Sequence, residues 1–135
     1  MERQSGSPFP RLVALALLAL LTTLPFAARA ETVLVMVEEQ GCAWCARWNA
    51  EVAPEYPKTA EGRAAPLRRV DIADPPDDVE FDRRLHFTPT FVLVRDGREL
   101  GRIEGYPGED FFWGLLGQLM EREGVTLAAG DEETG

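Results

Sequence analysis

Only two cysteines and one histidine occur in the 135 residues. A small exported domain held by disulfides carries four, six or eight cysteines spread along the chain, so that framework is excluded. A structural zinc site wants four nitrogen or sulfur ligands, and the chain offers two thiols and His86. Lysine and arginine nowhere cluster into a binding face, and acidic residues outnumber basic ones 23 to 14, which excludes nucleic acid as a partner. The apolar run Leu12–Leu21 is ten residues long, well short of the ~20 that span a bilayer as a helix. Internal repeats are absent as well.

What is present begins with a leader. Arg3 and Arg11 precede the apolar run, and Pro25 leads to Ala28-Arg29-Ala30, an A-x-A cleavage signature. Residues 1–30 are therefore predicted to be a signal peptide, with the mature chain starting at Glu31. Leu24 and Phe26 extend the apolar character, so an uncleaved anchor is the alternative. Either way the globular part lies outside the cytoplasm. The leader holds three basic residues and one acidic one, which leaves 11 basic against 22 acidic, a net charge of −11. The 105 residues after it suffice for one domain. That domain is predicted over 31–130, with a polar tail at 131–135.

The two cysteines stand together as Cys42-Ala43-Trp44-Cys45, directly after the apolar, β-branched run Thr32–Val37. A disulfide enclosing two residues constrains the unfolded chain little, so a structural staple is a poor explanation. Covalent haem attachment needs C-x-x-C-H, and Ala46 occupies the last position. Two thiols at the junction of a strand and a helix can instead open and close without rearranging a fold. A thiolate at a helix N-terminus is stabilised by the free N–H groups and the dipole, which lowers its pKa and makes it a nucleophile. The pattern points to redox chemistry.

The remaining chain alternates between strand and helix signals. Residues 32–37 suit a strand buried on both faces. A helix is predicted from Cys42 to Val52, and residues 54–66, with Pro54, Pro57, Pro66 and Gly62, form a loop with one helical turn. Leu67–Ile72 is a second strand. After Asp74-Pro75-Pro76, Asp77 or Asp78 caps a short helix through Leu85. Phe91–Val94 is a third strand, Asp96-Gly97 a tight hairpin turn, and Glu99–Glu104 a fourth strand. Glu109 and Asp110 open a last helix whose predicted buried face is Phe111, Phe112, Leu115, Leu116 and Leu119.

This βαβαββα order, with a dithiol after the first strand and Thr88-Pro89-Thr90 entering the third, resembles the thioredoxin family over essentially all of the mature chain. Asp96-Gly97 and Gly105 add to the likeness. The resemblance implies a thioredoxin-like α/β fold with a four-stranded mixed sheet and flanking helices. It further implies that Cys42 and Cys45 are catalytic and that Pro89 is cis and lies beside them. Thr88 then turns its backbone towards a substrate strand, and Gly105 keeps the opposite wall of the groove low. Ala43 and Trp44, between the thiols, belong to the same substrate-binding surface. The bland alternative for Thr88-Pro89-Thr90 is an ordinary strand-opening proline.

Gly41–Trp48, Tyr56–Thr59, Leu67–Asp71 and Phe87–Phe91 are similar to the small exported thioredoxins of bacterial sulfur-oxidation systems. That likeness implies a periplasmic thiol–disulfide reductase that keeps a partner of the thiosulfate-oxidising complex active, most plausibly its sulfur-carrier protein. A membrane thiol–disulfide transporter would then supply the electrons. No organic cofactor or metal is needed. Isomerase or oxidase activity, and a non-enzymatic accessory module, are the alternatives.

Two departures from cytosolic thioredoxin stand out. Gly41 replaces the tryptophan before the first cysteine, and Met36 replaces a buried carboxylate that helps deprotonate the second thiol. Glu38 is the nearest replacement, although its spacing favours the exposed end of the strand. Trp44 can cover the dithiol. His86 either modulates the site or is a solvated loop histidine, the latter being favoured. Trp48 and Trp113 read as packing residues.

Overall fold

Strand β1 (Thr32–Glu38) occupies the second position of a four-stranded sheet of order β2-β1-β3-β4 in this computed structural model, which describes residues 30–127. The predicted leader, apart from its last residue Ala30, and the tail at 131–135 lie outside the described residues. β1 runs parallel to β2 (Leu67–Asp71) and antiparallel to β3 (Thr90–Arg95), which pairs in turn with β4 (Arg98–Glu104). Between β1 and β2 lie α1 (Ala43–Glu51), a 3₁₀ turn (Tyr56–Lys58) and α2 (Ala60–Ala64); α3 (Glu109–Arg122) closes the fold.

Alternation along β1 explains why its whole length is apolar. Leu34 and Met36 face one layer with Phe91 and Leu93, while Val35 and Val37 face the other with Val92 and Val94. The first layer is the larger. Trp48 of α1 and Phe112 of α3 meet Phe91 with ring centroids 5.1 and 4.8 Å away, and all three are shielded from solvent. Each such side chain contributes about 1.5–3 kcal/mol by burial. Trp113 stacks on Tyr56, so both Trp48 and Trp113 are packing residues as expected.

α3 is rotated from the predicted face. Phe112, Leu116, Leu119 and Met120 are buried, whereas Phe111 is 71% and Leu115 42% exposed. Helical spacing yields a broad apolar stripe, and its centre is chosen by how closely the helix approaches the sheet. Here Leu119 lies against Gly101, where a Cβ would come within 2.6 Å of Leu119 Cδ1.

The segment between Val52 and Leu67 is more ordered than predicted. Thr59 Oγ1 accepts from Gly62 N at 3.0 Å and donates to Tyr56 O at 2.7 Å, joining the 3₁₀ turn to α2. The predicted hairpin is present. Asp96 and Gly97 both have positive φ (51° and 78°), as a two-residue type I′ turn requires.

The helix predicted from Asp77 or Asp78 to Leu85 is absent, so the chain departs from the βαβαββα order at this point. The residues that would cap and build it are engaged elsewhere. Both oxygens of Asp78 accept from Arg68 at 2.8 Å, and Glu80 exchanges backbone hydrogen bonds with Gly97 and Glu99. Val79, Phe81 and Leu85 pack instead as an irregular cover on the Val35–Val37 layer.

A buried ion pair fastens that cover. A bulge between Leu93 and Val94 brings Glu99 and Arg102, three residues apart on β4, to the same face. Their side chains are 1% and 3% exposed and bond bidentately at 2.6 and 2.7 Å. Arg102 also donates to the Arg83 and Arg84 carbonyls, and Glu99 accepts from Asp82 N at 2.9 Å. Burial pushes the Glu99 carboxyl up, but Arg102 and the Asp82 amide outweigh it and hold the group below the ordinary carboxylate range.

Candidate active site

Cys42 is the N-cap of α1, with extended backbone angles, and its Sγ accepts from Cys45 N at 3.1 Å. The preceding Gly41 has φ 81°, a turn that lets the chain leave β1 and enter the helix within a few residues. Cys42 and Cys45 form a disulfide with their Cα atoms 5.2 Å apart. The two sulfurs differ in surroundings. Cys42 is half-buried at the helix end, whereas Cys45, one turn in, is 3% exposed and part of the core. Only Cys42 combines access from solvent with the free N–H groups of the first turn.

The other predicted residues gather around this turn through hydrogen bonds. The Thr88–Pro89 peptide bond is cis. Gly105 N donates to Pro89 O at 2.8 Å, which fixes the start of the β4–α3 connection beside the proline. Thr88 Oγ1 donates to Glu39 Oε1 at 2.6 Å, tying the proline loop to the loop that carries the cysteines. Gly105 has φ 86°, and a Cβ there would meet nothing within 4 Å, so the backbone conformation rather than lack of room demands glycine.

Ala43 is exposed at the first helical position, and Trp44 is 54% exposed. Trp44 is held from one side by Arg47, whose guanidinium carbon lies 5.6 Å from its ring centroid and 6.0 Å from that of Tyr106. Glu51 closes this group by accepting from Arg47 Nε at 2.9 Å and from the Tyr106 hydroxyl. The Tyr106 hydroxyl and then Arg47 lower the Glu51 carboxyl, while burial, followed by Glu51, raises the Tyr106 phenol.

A hollow of about 330 Å³ opens beside the dithiol, lined by Glu38, Glu39, Cys42, Cys45, Ala46 and Asn49 among others. Glu38 does end β1, as its spacing indicated, and it borders this hollow; its side chain is 28% exposed, and its Oε2 accepts from Arg69 Nη1 at 3.0 Å, Arg69 itself not being among the lining residues. Met36 is fully buried, two residues back on the same face. His86 is exposed, as a solvated loop histidine would be.

Sequence reasoning missed Glu39, Arg47 and Arg69. None carries a motif, and each acquires its role from a partner 31 to 59 positions away or from a neighbour one helical turn along. Among the described residues, no group of three or more His, Cys, Asp or Glu is arranged to hold a metal ion, and no helix is long and apolar enough to cross a membrane.

With this geometry in hand, comparison with known proteins is decisive. The model of the thioredoxin-like domain matches residues 25–119. The chain belongs to the thioredoxin-like family. A thioredoxin-like fold carrying a C-x-x-C pair at disulfide distance makes it a thiol–disulfide oxidoreductase. The crystal structure of the reduced periplasmic thioredoxin SoxS from Paracoccus pantotrophus is 55% identical, covers 68% of this chain and 98% of its own, and superposes with a TM-score of 0.66. A thioredoxin from Thermus thermophilus, solved in solution, is 20% identical over 95% of both chains with a TM-score of 0.53, a likeness of fold alone. No curated protein matches the sequence.

Proposed function

We propose that this thioredoxin-like protein is a periplasmic reductase of protein disulfides, and that its partner belongs to a sulfur-oxidation system, most plausibly the sulfur-carrier protein. The observation that carries the reading is the asymmetry of the disulfide: Cys42 at the open helix end, Cys45 buried one turn in. Cys42 attacks a partner disulfide as thiolate and forms a mixed disulfide. Cys45 then attacks the Cys42 sulfur, which closes the intramolecular disulfide and releases the second partner thiol. The site afterwards needs two electrons and two protons, and a membrane thiol–disulfide donor supplies them.

In this reading the backbone of Thr88 pairs with the partner strand beside Pro89, Gly105 leaves the opposite wall open, and Ala43 and Trp44 meet the partner's surface. Residues 1–30 export the chain, and the domain runs over 31–130. The likeness to the Paracoccus protein, a periplasmic thioredoxin SoxS, supports the compartment and the system.

The test has two parts. Cys45→Ser should trap partners as mixed disulfides, and Cys42→Ser should not; equal trapping by both reverses the assignment. The potential, set against glutathione, is expected below about −200 mV, where a gap of about 60 mV to the partner favours transfer roughly a hundredfold. A potential near about −120 mV with rapid oxidation of reduced unfolded proteins would make the protein an oxidase instead.

A further inference from the structure

A large aromatic ring is costly to leave in water, and Trp44 is left there. The other two tryptophans are core residues: Trp48 packs on Tyr56, Phe91 and Phe112, and Trp113 on Tyr56 and Phe112. Trp44 is 54% exposed, and its ring is met by a cation, Arg47. A ring free to turn about its side-chain bonds would lose that freedom whenever a partner packed on it, and such ordering weakens binding.

The structure holds the ring beforehand. Trp44, Arg47 and Glu51 follow one another at spacings of three and four residues, which places them in one stripe along α1 from the dithiol to the helix end. Arg47 is shared by two rings, with its guanidinium carbon 5.6 Å from the Trp44 centroid and 6.0 Å from that of Tyr106. One oxygen of Glu51 accepts from Arg47 Nε at 2.9 Å, and the other accepts from the Tyr106 hydroxyl. Tyr106 is the fixed end of these contacts. It is 5% exposed, packs against Phe112 in the core and directly follows Gly105. Contacts therefore run from the core through Tyr106, Glu51 and Arg47 to the Trp44 ring, and they join the C-x-x-C turn to the Gly105 connection. The Tyr106 hydroxyl and then Arg47 lower the Glu51 carboxyl, and Glu51 raises the Arg47 guanidinium, so both stay charged at neutral pH.

We propose that Arg47 is a positioning residue for partner recognition: its guanidinium backs one face of the Trp44 ring and leaves the other for an apolar side chain near the partner's cysteine. This rests on the reading above that Trp44 meets the partner's surface, and it names what prepares the ring. Arg47 then acts on affinity for a protein disulfide and leaves the chemistry of the sulfurs alone. Its loss shows in KM, not in kcat.

The experiment measures reduction of insulin disulfides by the protein, with dithiothreitol in excess, and reads KM and kcat separately. Arg47→Met keeps an apolar stem and loses the charge. KM should rise about fivefold, the cost of ordering one side chain on binding, with kcat within about twofold of the wild type. Arg47→Lys keeps a cation and should recover part of the loss. In a Trp44→Ala background, Arg47→Met should change KM by less than about twofold, because the ring it positions is gone. Emission from Trp44, taken as the difference between each protein and its Trp44→Phe counterpart, should become more open to acrylamide quenching in Arg47→Met. An Arg47→Met protein with a KM within about twofold of the wild type overturns the role of Arg47. So does a further rise of about fivefold in the Trp44→Ala background, which would place Arg47 on the partner itself. A wild type that reduces oxidised glutathione but not insulin overturns Trp44 as a partner-facing ring and leaves the dithiol chemistry in place. One that reduces neither overturns the reductase reading.

Discussion

Glu99→Gln would leave the Arg102 guanidinium charged, 3% exposed and without its counter-ion, in a side chain of nearly unchanged shape. What compensation remains is the pair of carbonyls of Arg83 and Arg84, at 3.0 and 3.3 Å, and the Glu104 carboxylate at 3.7 Å. Breaking a buried ion pair from one side costs about 3–5 kcal/mol, and these residual contacts argue for the lower end, about 3 kcal/mol. That is a large part of the ~5–15 kcal/mol by which a domain is stable. In urea it corresponds to a midpoint lowered by about 2 M, and in thermal unfolding to a loss of about 12 °C or more. Replacing both partners by apolar residues, as in Glu99→Met with Arg102→Leu, removes the stranded charge. The exposed 82–84 segment can then turn its backbone groups to water, so the double variant should be more stable than Glu99→Gln. A loss below about 1 kcal/mol for Glu99→Gln, the scale of an exposed pair, would refute this account. So would a double variant that loses the sum of both single changes.

The same carboxylate sets an acid limit. Its folded pKa is depressed, so its stabilisation is complete above the unfolded value of ~4.3 and is lost as pH falls through the folded value. Urea midpoints between pH 2 and 7 should fall on the acid side, and Glu99→Gln should flatten that fall. Two glycines should respond in opposite senses. At Gly62 a Cβ would come within 1.8 Å of Tyr56 O, so Gly62→Ala should cost about 1–3 kcal/mol. At Gly117, inside α3, a Cβ meets nothing within 4 Å, and Gly117→Ala should add about 0.5–1 kcal/mol in the same urea assay. Trp44 lies inside the redox motif and is half-exposed, so its emission, taken as the difference between the protein and its Trp44→Phe variant, should change when the disulfide is reduced; an unchanged difference spectrum would place its ring away from the sulfurs.

Local chemistry determined a good deal of this protein before any fold was known. Two cysteines spaced three apart after a β-branched run already specify a dithiol at a strand-to-helix junction, because burial of both strand faces and the free N–H groups of a helix start are short-range properties. The Asp96-Gly97 turn was legible for the same reason: its geometry depends on two residues that tolerate positive φ. The family resemblance then located Pro89 and Gly105, which a hydrogen bond joins. What only the tertiary structure decided were outcomes of competition between distant groups. Residues 77–85 carry cap and composition for a helix, but their polar groups find partners in Arg68, Gly97 and Glu99, and those contacts win over local propensity. The rotation of α3, which exposes Phe111 and Leu115 and buries Met120, depends on how close Gly101 lets the helix come. Glu38 shows the limit most clearly. Its place at the strand end was readable from spacing, but its ion pair with Arg69 exists only because β2 lies parallel beside β1 and brings a residue 31 positions away to within 3.0 Å.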